Sequence, residues 1–132
     1  MNRKELVKEA LKAREKAYVP YSGFKVGAAI IMEDDTLYTG CNIENASYGA
    51  TNCAERTAIF KAVSDGHTKI KAVAVVGDEY NYTSPCGICR QVISEFADKN
   101  TEIIIAKNTE EYLVMTMEEL LPGAFTKEDL GK

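Results

Sequence analysis

The sequence predicts an α/β fold of three layers, α/β/α, in which helices cover both faces of a mixed sheet of about five strands. Segments with helical spacing of apolar residues alternate with short apolar runs, in the order α-β-β-α-β-α-β-β-α. The chain has 132 residues, and no repeat, linker or low-complexity tract interrupts this order. That length suits one core, so residues 1–132 are expected to form a single domain.

The first half of the chain predicts a helix, a hairpin and a second helix. Apolar residues at helical spacing favour a helix from Asn2 to about Tyr18, ended near Pro20. Two apolar runs, "KVGAAIIM" and "TLYTGCNI", flank the acidic turn "EDD" and predict a β-hairpin. The polar stretch "NASYGATN" is typical of an ordered loop, and it leads into a helix that begins near Cys53 and is capped at Gly66.

The second half predicts three more strands and two short helices. A buried strand, "KIKAVAVVG", precedes Pro85 and the helix "CGICRQVISEFA", whose Val92, Ile93 and Phe96 face inward. Two further strands, "TEIIIAK" and "EYLVMTM", precede a short helix in "EELLPGAF" that is broken at Pro122. Both cysteine-bearing helix starts follow strands or loops leading from them, where ligand sites gather in open α/β sheets.

Composition excludes several classes of function. The formal net charge is −4, and the 16 basic residues are scattered among 20 acids. A protein that grips a nucleic-acid backbone clusters its cations, so small uncharged substrates are favoured and no nucleic acid is expected. No stretch approaches the roughly 20 apolar residues of a membrane span. The first segment is charged and helical rather than a secretory signal, so a cytoplasmic location is expected.

Four cysteines, Cys41, Cys53, Cys86 and Cys89, could form two disulfides by number alone. The size and apolar content of the chain, with a reducing compartment, favour a metal or redox role instead. Cys41 lies on a predicted strand without ligand spacing, which is typical of a small buried hydrophobe. His67, the one histidine, lies in the polar turn "SDGH" and is interpreted as a solvated residue.

Cys86 and Cys89 lie three residues apart at a helix start and can bind one ion on a shared face. That pair alone fits a redox dithiol, half of a zinc site or two core thiols. Cys53, opening another helix, would complete a three-thiol set with one tetrahedral position open for water, as in catalytic zinc sites. Cys41 as a fourth ligand would close the site and make it structural.

Glu55 follows Cys53 by two residues, on the first turn of the same helix. Its carboxylate could take a proton from water bound at the metal. The simple alternative is an acid favoured by the helix dipole, and the second motif "PCGIC" argues against it. Three thiolates leave Zn²⁺ with a formal charge of −1, which the helix N-termini and a hydrogen bond from Arg56 or Arg90 could offset.

The pair "CAE", Cys53 to Glu55, and "PCGIC", Pro85 to Cys89, resembles the signature of zinc nucleoside and nucleobase deaminases. Five blocks over nearly the whole chain resemble the small homotetrameric cytidine deaminases; they are "VPYSGFKVGAA", "NIENASYG", "CAERTAIFKAV", "SPCGICRQVISE" and "LLPGAF". The resemblance implies a cytidine deaminase-like fold and a hydrolase of pyrimidine salvage. It would convert cytidine and deoxycytidine to uridine and deoxyuridine plus ammonia.

The resemblance also implies roles for individual residues. One Zn²⁺ per subunit would be held by Cys53, Cys86 and Cys89, and Glu55 would shuttle protons between the zinc-activated water and the base. The residues that would bind the nucleoside are Phe24, which stacks on the pyrimidine, Asn42 and Glu44, which hydrogen-bond a ribose hydroxyl, and the backbone around Ala54, which holds the base carbonyl.

Three further residues, Ala46, Tyr48 and Phe125, resemble those that complete a neighbouring subunit's pocket in a homotetramer. The aromatic residues Phe24 and Phe125 could instead be plain core residues. In the same way Asn42 and Glu44 could be turn formers at a strand end.

Other classes of protein compete with this interpretation. A structural zinc module needs four closed ligands and gives no role to Glu55. A thiol redox protein needs only Cys86 and Cys89. A deaminase of another aminated base or nucleoside in the same superfamily is the main alternative, and the block that resembles a ribose reader favours a nucleoside.

Overall fold

The computed structural model describes residues 1–132 and contains four α-helices and five strands in the predicted order. The helices are α1 Arg3–Arg14, α2 Ala54–Ser64, α3 Gly87–Phe96 and α4 Met117–Leu120. The strands are β1 Gly27–Met32, β2 Leu37–Cys41, β3 Ile70–Val76, β4 Glu102–Ala106 and β5 Tyr112–Met115. Short 3₁₀ turns at Tyr48–Ala50 and Lys127–Leu130 were not predicted. None of the helices combines the length and apolar character that crossing a bilayer requires.

The five strands form one mixed sheet in the order β2-β1-β3-β4-β5. The predicted hairpin is present, with Gly27 opposite Cys41 and Ile31 opposite Leu37 in antiparallel register. Only β3 and β4 are parallel, because α3 connects them as a crossover. The crossover places the start of α3 just beyond the carboxyl end of β3, which is the edge where the cysteine motif was expected.

Side chains of the central strands point alternately to two apolar layers, which confirms the three-layer α/β/α fold. The layer under α1 consists of Leu6, Val7, Ala10, Ala29, Ile31, Ala74, Val76, Ile104 and Ala106. The opposite layer, under α2, α3 and α4, includes Ala28, Ile30, Met32, Ala58, Ile59, Ile93, Ile103 and Leu120. Period-two alternation therefore buries both faces of β1, β3 and β4.

Helix α1 ends at Arg14, four residues before the predicted end at Tyr18. The Tyr18 N–H donates to the Asn42 carbonyl at 3.0 Å, and the Tyr18 carbonyl accepts from the Glu44 N–H at 2.8 Å. This bridge holds the chain extended beside the end of β2, so the apolar spacing beyond Arg14 does not continue the helix. Residues 18–26 are thereby tied to the segment that follows β2.

Helix α1 lies directly against β1 because Gly27 has no side chain. A Cβ atom at Gly27 would collide with the Ala10 carbonyl and would lie 2.6 Å from the Arg14 nitrogen. These atoms are backbone, so the contact is relieved only if the helix moves.

Gly27→Ala should lower the free energy of unfolding by about 3 kcal/mol, at the upper end of typical overpacking costs, because α1 must shift off the sheet. Urea unfolding followed by far-ultraviolet circular dichroism measures this change. Gly49→Ala is the matched control, since a Cβ there meets nothing within 4 Å. Equal denaturation midpoints for the two variants would show that the close approach of α1 to β1 is wrong.

Candidate metal centre

The N-termini of α2 and α3 lie together on one face of the sheet, and each begins at a cysteine. Cys53 is the N-cap of α2 and Cys86 is the N-cap of α3, both with extended backbone. The Cys86 sulfur accepts a hydrogen bond from the Cys89 N–H at 3.5 Å. Both helix starts therefore direct their unpaired N–H groups toward the same small region of the protein.

Cys53, Cys86 and Cys89 form a cluster whose three Sγ atoms all lie within 4.8 Å of one another. The Sγ atoms of Cys53 and Cys86 are 3.7 Å apart. Tetrahedral zinc with bonds of about 2.3 Å to sulfur requires sulfur atoms about 3.8 Å apart, so this donor set fits Zn²⁺. Cys89 is buried, Cys53 is half-buried and Cys86 is exposed, so the cluster opens to solvent on one side.

The structure places the other two candidate ligands outside this cluster. Cys41 lies at the end of β2, half-buried and unpaired, and all four cysteines are free thiols. His67 packs its ring 5.6 Å from that of Tyr38 and lies 3.2 Å from an Asp34 carboxylate oxygen. His67 is thus half-buried in a contact with the β1–β2 hairpin, rather than fully solvated.

Arg56 is the cation that contacts the thiols. Its Nη2 donates to the Cys53 sulfur at 3.2 Å. Hydrogen bonds from Cys89, Arg56 and Cys86 lower the pKa of the Cys53 thiol to about 5, against the opposing effect of burial. The cluster therefore carries negative charge before any metal binds, and Arg56 offsets part of it.

Arg90, the other candidate for this role, makes different contacts. Its guanidinium donates to the Pro85 carbonyl at 2.8 Å, the Leu120 carbonyl at 2.7 Å and the Ser84 hydroxyl at 2.7 Å. Arg90 thus fastens the segment before α3 to the end of α4. It supports the position of Cys86 without touching a sulfur.

Glu55 lies on the first turn of α2, and its side chain is buried, with 3% of the residue exposed. Burial, helped by the charge of the Cys53 thiolate, raises the pKa of its carboxyl to about 7. A carboxyl with this pKa can gain and lose a proton near neutral pH, as general acid–base catalysis requires.

The Asn42 side chain points to the loop that carries Phe24. Its Oδ1 accepts from the Val26 N–H at 2.9 Å, and its Nδ2 donates to the Phe24 carbonyl at 2.8 Å. Phe24 itself is 40% exposed, and its ring lies against the backbone of Gly77, where a Cβ would come within 2.9 Å of the Phe24 Cζ. Phe24 is therefore a surface aromatic whose ring packs on Gly77 and whose carbonyl is held by Asn42.

Glu44 points to the same loop. Its carboxylate accepts from the N–H groups of Tyr21 and Ser22 at 3.0 and 3.1 Å, and also from the Ser22 hydroxyl. Sequence reasoning missed Ser22. The signal that could have found it is the spacing to Phe24, whose N–H donates to the Ser22 hydroxyl at 3.0 Å in a local turn typical of serine.

The remaining predicted residues are positioned as follows. Ala54 is buried at the first position of α2. Ala46 and Tyr48 lie in the exposed loop before α2, and Phe125 is 62% exposed after α4. The Gln91 side chain donates to the Phe125 carbonyl at 2.8 Å, so α3 also holds this terminal segment.

The chain is similar in sequence and in structure to proteins of one known family. Residues 1–106 match the model of the cytidine and deoxycytidylate deaminase zinc-binding region. Cytidine deaminases of Sporosarcina psychrophila and Halalkalibacterium halodurans are 55% and 53% identical to this chain; each match covers 99% of this chain, and 96% and 99% of the relative. The crystal structure of a cytidine deaminase from Burkholderia pseudomallei has a TM-score of 0.88 and 46% identity, covering 95% of this chain and all of that chain.

Cys86→Ala should abolish stable zinc binding, because it removes one of three ligands while changing only an exposed side chain. Elemental analysis after dialysis should find about one zinc per chain in the unmodified protein and almost none in this variant. Cys41→Ala is the matched control and should keep its zinc. Equal zinc content in both variants would contradict the three-thiol assignment.

Glu55→Gln should stabilise the metal-free protein at pH 8 but not at pH 4. The pKa of this carboxyl rises from 4.5 to about 7 on folding, so its contribution to stability is lost as the pH rises between these values. The amide does not ionise and avoids that loss, which is at most about 3 kcal/mol.

Urea unfolding at both pH values, in the presence of a chelator, measures the difference. Glu95→Gln is the matched control, because Glu95 lies exposed on α3. If Glu55→Gln lowers stability at pH 8, the carboxyl is not held in the unfavourable environment described here.

Proposed function

This chain belongs to the cytidine and deoxycytidylate deaminase family of zinc-dependent hydrolases, and we propose that it converts cytidine and deoxycytidine to uridine and deoxyuridine with release of ammonia. The observation that carries this proposal is the buried Glu55 carboxyl, which lies on the helix turn that follows Cys53, one of three clustered thiols. A structural zinc module would have no use for such a group.

Cys53, Cys86 and Cys89 are the residues that would hold Zn²⁺. When bound, the ion supplies a Lewis acid that makes water nucleophilic near neutral pH. Arg56 keeps its hydrogen bond to the Cys53 sulfur and so reduces the electron density that the thiolates donate.

Glu55 performs the proton transfers. It takes a proton from the attacking water and gives it to N3 of the cytosine ring, while the water oxygen forms a bond to C4. Protonation of N3 matters because the ring must accept the electron pair that the attack displaces. Glu55 then takes the second proton of the former water and delivers it to the exocyclic amine, which leaves as ammonia.

Residues around this carboxyl hold the nucleoside. The Phe24 ring stacks on the pyrimidine, and the unpaired N–H groups at the first turn of α2, around Ala54, donate to the base carbonyl. Asn42 and Glu44 bind a sugar hydroxyl, since together they offer an amide donor and a carboxylate acceptor.

The assembly belongs to the same proposal. Tyr48 and Phe125 are large side chains left exposed on loops of the single chain, with 76% and 62% of each residue exposed. Aromatic side chains are enriched at interfaces between protein chains. We place them, with Ala46, in the pocket of a neighbouring subunit of a homotetramer. A place in cytoplasmic pyrimidine salvage is part of the proposal and depends on the family resemblance.

The zinc-loaded protein should change the ultraviolet absorbance of cytidine to that of uridine at catalytic enzyme concentration. Glu55→Gln should lower kcat by about 10²- to 10⁴-fold, the usual contribution of a general acid–base, and should keep its zinc. Glu95→Gln serves as the control. No change with either nucleoside in zinc-loaded protein would refute the substrate class, and near-normal turnover in Glu55→Gln would refute the role of the carboxyl.

Mixed tetramers test the shared pocket. Phe125→Ala and Glu55→Gln should each be nearly inactive alone, because each spoils every pocket of its own tetramer. Co-expressed chains should recover activity, because some pockets then combine an intact Glu55 with an intact Phe125 from a neighbour. Activity equal to the sum of the two separate variants would show that Phe125 contributes to the pocket of its own chain or to no pocket.

A further inference from the structure

The Glu44 carboxylate has few acceptor positions left for a ligand. A carboxylate offers about four lone-pair sites, two on each oxygen. Oε1 accepts two N–H groups, those of Tyr21 and Ser22, and Oε2 accepts the Ser22 hydroxyl. The Ser22 hydroxyl and these N–H groups also keep the pKa of Glu44 below its usual value, so the group stays ionised. One acceptor position remains, on Oε2.

The Asn42 side chain shows the complementary arrangement. A primary amide offers two N–H donors and two lone pairs. Val26 N–H occupies one lone pair of Oδ1, and the Phe24 carbonyl occupies one N–H of Nδ2. One N–H therefore remains. A single hydroxyl group, which donates one hydrogen bond and can accept another, matches the free N–H of Asn42 and the free lone pair of Glu44.

We propose that Ser22 is a positioning residue for nucleoside recognition: its hydroxyl fixes one oxygen of Glu44, so that the carboxylate presents one acceptor position to one sugar hydroxyl. This inference depends on the proposed function, because it concerns the sugar that the same site binds. Ser22 acts through Glu44 and need not touch the substrate.

The surroundings of Ser22 support this role. Its oxygen accepts from the Phe24 N–H at 3.0 Å, which orients the hydroxyl proton toward Glu44. Ser22 and Glu44 also line an open cavity of about 340 Å³ with Tyr21, Tyr48 and Thr51. The Tyr21 and Tyr48 rings meet edge to face, 6.2 Å apart. Tyr21 and Ser22 are thus held beside Glu44 by side-chain contacts as well as by the backbone.

The test compares three nucleosides that differ only in their sugar hydroxyls: cytidine, 2′-deoxycytidine and 2′,3′-dideoxycytidine. In Ser22→Ala, kcat/KM should fall about tenfold for cytidine and deoxycytidine, mainly through KM, since a charge-assisted hydrogen bond that orients Glu44 is lost. The dideoxy compound has no hydroxyl on the ring for Glu44 to bind, so its kcat/KM should change less than about twofold.

Two further variants separate positioning from general damage to the loop. Ser22→Thr keeps a hydroxyl and should therefore restore kcat/KM for cytidine and deoxycytidine. In a Glu44→Gln background, Ser22→Ala should cause little additional loss, because the serine then has no carboxylate to orient. Ser64→Ala, on the exposed face of α2, is the matched control for the same chemical change.

Each outcome is decisive. An equal loss of kcat/KM on all three substrates would overturn the inference, and so would additive losses in the double variant. In either case Ser22 would act on the fold of the loop and not through Glu44. No loss at all would overturn it too. If the unmodified enzyme acts on none of the three substrates, the proposed function itself fails.

Discussion

The placement of two helix N-termini at one point on the sheet is the constraint on which the rest of the site depends. Helices α2 and α3 both begin with a cysteine N-cap, so the unpaired N–H groups of both first turns lie near the thiol cluster. If all three thiols ionised to hold a metal, their charges would repel one another at separations such as the 3.7 Å between the Cys53 and Cys86 sulfurs. The helix fields and the Arg56 guanidinium offset that repulsion, and the parallel β3–α3–β4 crossover keeps the two helix starts together.

The same arrangement explains why Glu55 is buried. A residue on the first turn of α2 faces the layer between helices, where water is scarce and ionisation is costly. This environment works against stability above neutral pH, and it makes the carboxyl able to donate as well as accept a proton. The site therefore combines a negatively charged thiol cluster with a neighbouring acid whose charge is easily changed. Burial of Glu55 thus lowers the stability of the fold above neutral pH, while it gives the carboxyl a pKa suited to proton transfer.

Much of the fold and the site could be predicted from local pattern. The apolar periodicity gave the order of the elements, and the Cys-x-Glu and Cys-x-x-Cys spacings located both helix starts. Contacts between distant residues could not be predicted. The early end of α1 depends on the Tyr18 bridge to the chain after β2, and the partners of Arg90 include a carbonyl of α4. Ser22 was missed because its role depends on the hydrogen bond from its hydroxyl to Glu44, which is distant in sequence. Such pairings depend on the tertiary fold, and only the local turn from Ser22 to Phe24 leaves a signature in spacing.

The most direct test of this metal centre and its acid is a crystal structure of the zinc-loaded protein with a hydrated cytidine analogue, using anomalous scattering at the zinc edge. We expect one metal peak bonded to the sulfurs of Cys53, Cys86 and Cys89, and a Glu55 carboxylate oxygen about 3 Å from N3 of the analogue. A metal bound through Cys41, or a Glu55 carboxylate turned away from the ring, would contradict this expectation.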